Sequence, residues 1–309
     1  LNREQRSVWL WSGLFFLMLL LTMTFFAVFT VHVFLIPMVI LFVRLSRGRF
    51  AAVYAVSLAL ACLMPMLLGA GALGLAAIIP ALFFLGPTVV MGTLYKRRAP
   101  AKSVVTGGIL AMLGQMLLLL VILTAMQVDV FGSLESYMRD SMTNAMKILN
   151  VELSQELVDQ TIQAIKSSVP MFLIGISFYY AVLTHWISRA ILNRMGEALP
   201  GMPPVREWML PKSMVWIYLI ALLLELVVRP DFDSTMYVLL FNLLPLLRFA
   251  FCIQGIAFLA FIAYQKRWSQ ALPVLVFVVT LLIAPLQHFI SLLGVFDVAF
   301  PLRQRFLKR

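Results

Sequence analysis

The sequence predicts an all-α fold, a polytopic transmembrane helical bundle of about eight or nine membrane segments with an extracytoplasmic amphipathic helical excursion. Three observations lead there. Of 309 residues, 62% are hydrophobic and 12% charged, whereas a soluble globular domain is about 25% charged. The apolar residues lie in continuous runs rich in Leu, Met and Phe, several long enough to cross about 30 Å of hydrocarbon. With no water in that layer, backbone groups must pair internally, and runs that do not alternate cross as helices. Finally, the net charge of +11 is concentrated in short loops between the runs. That is the pattern that orients membrane proteins, so the charge calls for a lipid bilayer and no nucleic acid.

A short polar stretch precedes the first apolar run, Val8 to about Thr30. It lacks the small-residue cleavage site of a signal peptide and is read as a retained span. Val31 to Val43 is short for a crossing and interrupted by Pro37, with His32 at its outer mouth. Arg44, Arg47 and Arg49 form a basic clip before the third span, Phe50 to Leu68. A glycine-rich turn leads to the fourth, Leu73 to Leu94, which stops at Lys96, Arg97, Arg98 and Lys102; the fifth runs from Val104 to Met126. The positive-inside rule puts these basic loops in the cytoplasm and the Gly69 to Gly74 turn outside.

Residues 127–168 are a polar excursion on the outer side, with Asp129, Glu135, Asp140, Glu152, Glu156 and Asp159 outnumbering Arg139, Lys147 and Lys166. Leu134, Met138, Met142, Met146 and Leu149 recur at helical spacing, as do Leu157, Val158, Ile162 and Ile165 after Ser154, a residue suited to cap a helix. Two amphipathic helices that cap or lid the bundle are expected.

The chain re-enters at Pro170 to about Ile191, then passes through a loop made irregular by Pro200, Gly201, Pro203 and Pro204. Ser213 to Val228 forms another span, and Thr235 to Arg267 a long one. In Ala271 to Val298, a single crossing would leave Arg303, Arg305, Lys308 and Arg309 outside, against the charge rule; the preferred alternative is that Pro285 divides the run into two short legs, which would return them to the cytoplasm. The expected organisation is residues 1–126 as N-terminal helices, 127–168 as the excursion, and 169–309 as C-terminal helices with a basic tail.

Motifs for chemistry are sparse. Gly69, Gly71 and Gly74 match G-x-G-x-x-G, but join two spans without the strand and helix that give the pattern meaning. No Walker A, HExxH or nucleophile-elbow sequence is present, so neither an enzyme nor a resident cofactor is expected. Cys62 and Cys252 sit inside apolar runs and His185 and His288 are isolated; no disulfide or metal site is built from them. Ala51, Ala55 and Ala59, and likewise Gly107 and Ala111, line up small residues that let helices approach closely, within the chain or on a partner subunit.

Arg248 is the strongest single signal. An arginine at a helix centre costs about 2.5–3.5 kcal/mol on insertion scales, so a partner or a water-filled cavity is expected. Pro245 should kink or break the helix just before it, and a broken helix beside a buried cation makes an anion or carboxylate site. Asn242 and Gln254 flank it as further ligand-binding candidates. Glu225 is a fourth, either paired locally with Arg229 at i+4 or facing Arg248 from the neighbouring span. The competing reading leaves Arg248 to snorkel or pair structurally.

Asn242, Gln254-Gly255 in a long apolar run, Lys266-Arg267 at its end, then Gly294, Asp297 and Arg303, resemble the YybS family of predicted bacterial membrane proteins. The resemblance extends to the acidic excursion, Pro170 and the stretch from Tyr180 to Gly196. It implies a bacterial plasma-membrane location and no particular chemistry. The plan is also similar to the substrate-binding membrane subunits of energy-coupling-factor vitamin transporters, which capture a small solute outside and rely on separate ATPase and scaffold subunits. This chain has more membrane segments than those subunits usually carry. Two function classes follow: a non-enzymatic protein that binds or helps to transport a small-molecule ligand without its own ATPase, or a membrane scaffold or regulatory subunit of envelope or signalling machinery.

Overall fold

The computed structural model describes residues 3–151, 154–300 and 302–307, which form α-helices and one short 3-10 turn with no strand among the described residues. Glu152, Lys308 and Arg309, counted in the charge pattern above, lie outside the described residues. The chain divides into two compact units. One comprises Leu1–Val130 with Leu173–Met202, the other Phe131–Phe172 with Pro203–Arg309. Residues 131–168 of the excursion therefore group with the C-terminal helices, while residues 127–130 and most of the helix that follows the excursion group with the N-terminal ones.

The first unit begins with α1 (Arg3–Leu21), α2 (Ala27–Val33), α3 (Leu35–Arg44), α4 (Arg47–Leu67), α5 (Gly71–Lys96) and α6 (Ala101–Ala125). The expected first span, Val8 to Thr30, is split. Thr22 and Thr24 donate their hydroxyls to the carbonyls of Leu19 and Leu21, and Thr24 Oγ1 then accepts the N–H of Phe26. Local side-chain bonds of this kind compete with the helix ladder, and the helix stops. Apolar composition alone gives no sign of the break. The segment expected to be too short becomes an 18-residue candidate span, Ala27–Arg44, and Pro37 falls in the first turn of α3, where its missing N–H is not needed.

Helix α3 is the centre of this unit. Every residue from Leu35 to Phe42 is buried, packed by α1, α4 and α5. In a bilayer, lipid tails are as apolar as Leu, so close packing holds the helices together more than exclusion from water does. Small residues supply that closeness: Gly92 leaves room for the Phe42 ring, and Gly108 lies against Met91 and Ala181. At the basic end, Lys96 Nζ donates to the Leu45 carbonyl at 2.6 Å and stands over Phe42, while Arg44 pairs with Glu197 at 2.9 Å. Cations of the basic loops thus also cap the central helix.

The excursion forms α7 (Val130–Leu149) and α8 (Gln155–Ser167), the latter capped by Ser154, which accepts the Leu157 N–H. Arg139 reaches Asp159 at 2.8 Å, and Lys166 reaches Glu135 at 2.8 Å. Helix α9 (Val169–Arg194) follows, then the irregular loop with its 3-10 turn Val205–Glu207, and α10 (Lys212–Val227).

Helix α11 (Thr235–Gln265) runs without interruption through Pro245, contrary to the expected break. Proline removes one donor from the ladder, a small loss within 31 residues supported by packing along the whole length. Helices α12 (Ala271–Leu282) and α13 (Ala284–Ala299) meet at Ile283, whose backbone is extended, with Pro285 in the first turn of α13. Twelve residues rise only about 18 Å, too little to cross. Thr280 and Leu281 near the tip lie beside Pro245 and Arg248, halfway along α11. Beyond α13 and α14 (Leu302–Leu307), Arg303 stands over Phe261, close to the C-terminal end of α11. The pair is a helical hairpin that brings the chain back beside the end of α11 from which it departed.

Helices α11 and α13 cross with their backbones in contact. A Cβ added to Gly294 would strike the Phe251 carbonyl, and one added to Gly255 would strike that of Ile290.

Candidate functional site

The tip of the α12–α13 hairpin and the middle of α11 border a cavity of about 100 Å³ lined by Pro245, Arg248, Cys252, Phe277, Thr280 and Gln287. Extended backbone at membrane depth is tolerated only where protein buries it or a polar cavity faces it. Arg248 supplies the polarity here. Its Nε is buried and without a hydrogen-bond partner, and among the described residues no carboxylate pairs with it. Thr280 lines the same cavity, with its hydroxyl donating to the Val276 carbonyl at 2.6 Å. The sequence singled out Arg248, but not the hairpin wall facing it.

Asn242 and Gln254 lie apart from this cavity. Asn242 Oδ1 accepts the Met171 N–H at 2.9 Å, and its Nδ2 donates to the Ser167 and Val238 carbonyls at 2.8 Å each. It fastens the joint between α8 and α9 to α11. Gln254 Oε1 accepts the Leu210 N–H at 3.0 Å, while Nε2 donates to Asp297 Oδ2 at 2.6 Å and to the Trp208 carbonyl at 3.3 Å.

Asp297 is fully buried and is held by Arg303, whose Nε and Nη2 both reach the carboxylate, the shortest contact being 2.7 Å. The same guanidinium donates to the carbonyls of Arg206 at 2.6 Å and Trp208 at 3.0 Å. Burying an ion pair is costly unless its geometry and remaining hydrogen bonds are good, and here the fork of the guanidinium is well used. Gln254, Asp297 and Arg303 form a polar hub that locks the 206–210 loop and the C-terminal segment onto α11. The sequence resemblance named all three without joining them.

Glu225 is exposed near the end of α10, and among the described residues it pairs with neither Arg229 nor Arg248. Ala51, Ala55 and Ala59 are all exposed along one face of α4. Gly107 instead packs on Leu94 and Val90 within the first unit, with Ala111 half-buried one turn on. Among the described residues, no cluster of three or more His, Cys, Asp or Glu side chains is arranged to hold a metal ion.

The residues that line the cavity, and Gln254 and Asp297 of the hub, fall within a region matched by a family model described as "Predicted membrane protein (DUF2232)", which covers residues 13–298; Arg303 lies just beyond it. The chain is also similar to the Uncharacterized protein YybS of Bacillus subtilis (strain 168), at 22% identity over 224 residues, 70% of this chain and 72% of that one. No solved structure matches.

Proposed function

The chain belongs to the DUF2232 family of predicted membrane proteins, and we propose that it binds a small anionic solute at Arg248 as a non-enzymatic multi-pass protein without its own ATPase. The carrying observation is the guanidinium nitrogen left without a partner in a cavity at the centre of α11. An unpaired cation at membrane depth is costly, and a carboxylate or small oxyanion would offset that cost with charge-assisted bonds. About 100 Å³ is smaller than the roughly 150 Å³ cavity that takes up a benzene-sized molecule. It admits the head of a solute and little more. In this reading the basic loops face the cytoplasm, α7 and α8 form an outer lid, and any movement of the solute is driven by separate subunits.

The test is a thermal-shift titration of the protein in lipid nanodiscs with a panel of small carboxylates and their neutral amides. Carboxylates should stabilise it, by about 2.7 kcal/mol at a hundredfold excess over Kd. The Arg248→Ala variant should remain folded and lose the shift. If no carboxylate shifts the wild type and Arg248→Ala merely unfolds, the arginine is structural and the proposal fails.

One observation favours the scaffold reading. Ala51, Ala55 and Ala59 present a small-residue face on α4 that is exposed among the described residues, a surface suited to a neighbouring membrane helix. Mild-detergent purification should then bring down a membrane partner that Ala55→Leu releases. Retention of that partner by the variant would remove α4 from the interface.

A further inference from the structure

Helix α9 carries a second buried polar cluster, in the first unit and independent of Arg248. Thr184, His185 and Ser188 are 1%, 5% and 0% exposed. Ser188 lies four residues from Thr184 and three from His185, the spacings at which side chains are neighbours on a helix surface. His185 stacks on Tyr95 of α5, and its Nδ1 lies 2.8 Å from the Tyr95 hydroxyl. Its other nitrogen, Nε2, has no partner, and neither does Thr184 Oγ1 or Ser188 Oγ.

The two hydroxyls are unlike others in the bundle. Thr30, Thr88, Ser177 and Thr280 each donate to the carbonyl one turn back, the usual way a helix satisfies a hydroxyl away from water. Thr184 and Ser188 decline that bond, although the carbonyls of Tyr180 and Thr184 lie one turn back. A buried polar group left without a partner is destabilising, so three within about one turn call for an occupant.

The imidazole narrows what the occupant is. The Tyr95 hydroxyl sits closer to Nδ1, at 2.8 Å, than to the His185 carbonyl, at 3.3 Å. A neutral imidazole either accepts the Tyr95 hydroxyl at Nδ1 and carries its proton on Nε2, or donates from Nδ1 to the Tyr95 oxygen, whose own proton then goes to the His185 carbonyl, and leaves Nε2 an acceptor. The occupant must serve Nε2 in either form together with two hydroxyls, each able to donate and accept. Water meets every demand, as it does at buried polar sites generally. We propose that this face of α9 is an internal hydration site, with bound water joining His185 Nε2 to the Thr184 and Ser188 hydroxyls inside a membrane span.

The test rests on a difference in sign. If the hydroxyls are unoccupied orphans, the near-isosteric Thr184→Val and the Ser188→Ala variant each remove a buried polar group with nothing to lose. Tm of the full chain in nanodiscs then rises. If they hold water, each variant strips a partner from it, and Tm falls by about 2–4 °C for each kcal/mol lost. The double variant should lose less than the sum, since both hydroxyls act through one occupant. X-ray radiolytic labelling gives a second readout that does not depend on stability: radicals generated from bound water should oxidise His185 although it is shielded from bulk solvent. A rise in Tm, or an unlabelled His185 in a well-folded sample, overturns the proposal. Replacing chloride by gluconate, or sodium by potassium, should leave Tm unchanged; a shift of several degrees would instead assign the site to an ion.

Discussion

At the scale of single residues, the buried groups differ in whether they are compensated. Asp297 and Arg303 satisfy each other and two backbone carbonyls, so removing either leaves the other charged and unpaired. Asp297→Asn is expected to cost about 3–5 kcal/mol, read as a lower midpoint in thermal or denaturant unfolding. Glu135 gives a prediction of the opposite kind, on the exposed surface of the excursion. Its hydrogen bond to Lys166, reinforced by the charges of Lys166 and Arg139, holds its carboxyl below the ordinary value of 4.5. A depressed folded-state value means that the stabilisation is fully present above about pH 4.5 and is lost as pH falls through the lowered value. Hydrogen exchange in α7 and α8 should therefore quicken in acid below that point, and Glu135→Gln should abolish this pH dependence. Unchanged acid behaviour in the variant would show that Glu135 does not anchor the excursion. Arg248 was legible from sequence alone, because an arginine amid apolar residues is conspicuous whatever surrounds it. The hub was not: Gln254 and Asp297 are 43 positions apart, and no local pattern announces a bond across two helices.

At the scale of elements, the sequence was informative wherever local chemistry decided the outcome. The Ser154 cap and the division of the last run near Pro285 both stand in the structure, since a cap and a proline act within a turn of themselves. The first two runs were misdivided because the break at residues 22–26 depends on threonine hydroxyls turned back onto the chain, within a stretch otherwise apolar enough to continue. Pro245 failed to break α11 because packing along the helix outweighs one missing donor. Glycines test element packing most directly. Gly294→Ala drives a methyl into the Phe251 carbonyl and should cost at least the 1–3 kcal/mol or so typical of overpacking. Gly114, in α6, has open space around it, so Gly114→Ala should stabilise by about 0.5–1 kcal/mol through backbone entropy. Comparing the two melts separates crowding from any general intolerance of alanine.

At the scale of the whole molecule, the helical membrane character was plain from composition, because a chain so poor in charge has few ways to be soluble. The grouping into two units was less accessible. Residues 131–172 group with the C-terminal helices partly through Asn242, which bonds to the backbone on both sides of the α8–α9 joint, a tie between positions more than seventy apart. The glycine crossing of α11 and α13 also bears on how such a chain diverges. Each glycine is pressed against the carbonyl of the other helix, so neither site has room to drift through alanine or serine while the crossing stays closed. Relatives with a side chain at either position are expected to hold the hairpin farther from α11, with Gln254 out of reach of Asp297. Such a lineage would have to lose or rebuild the hub together with the glycine, and an alignment of distant relatives should show these positions changing as a set.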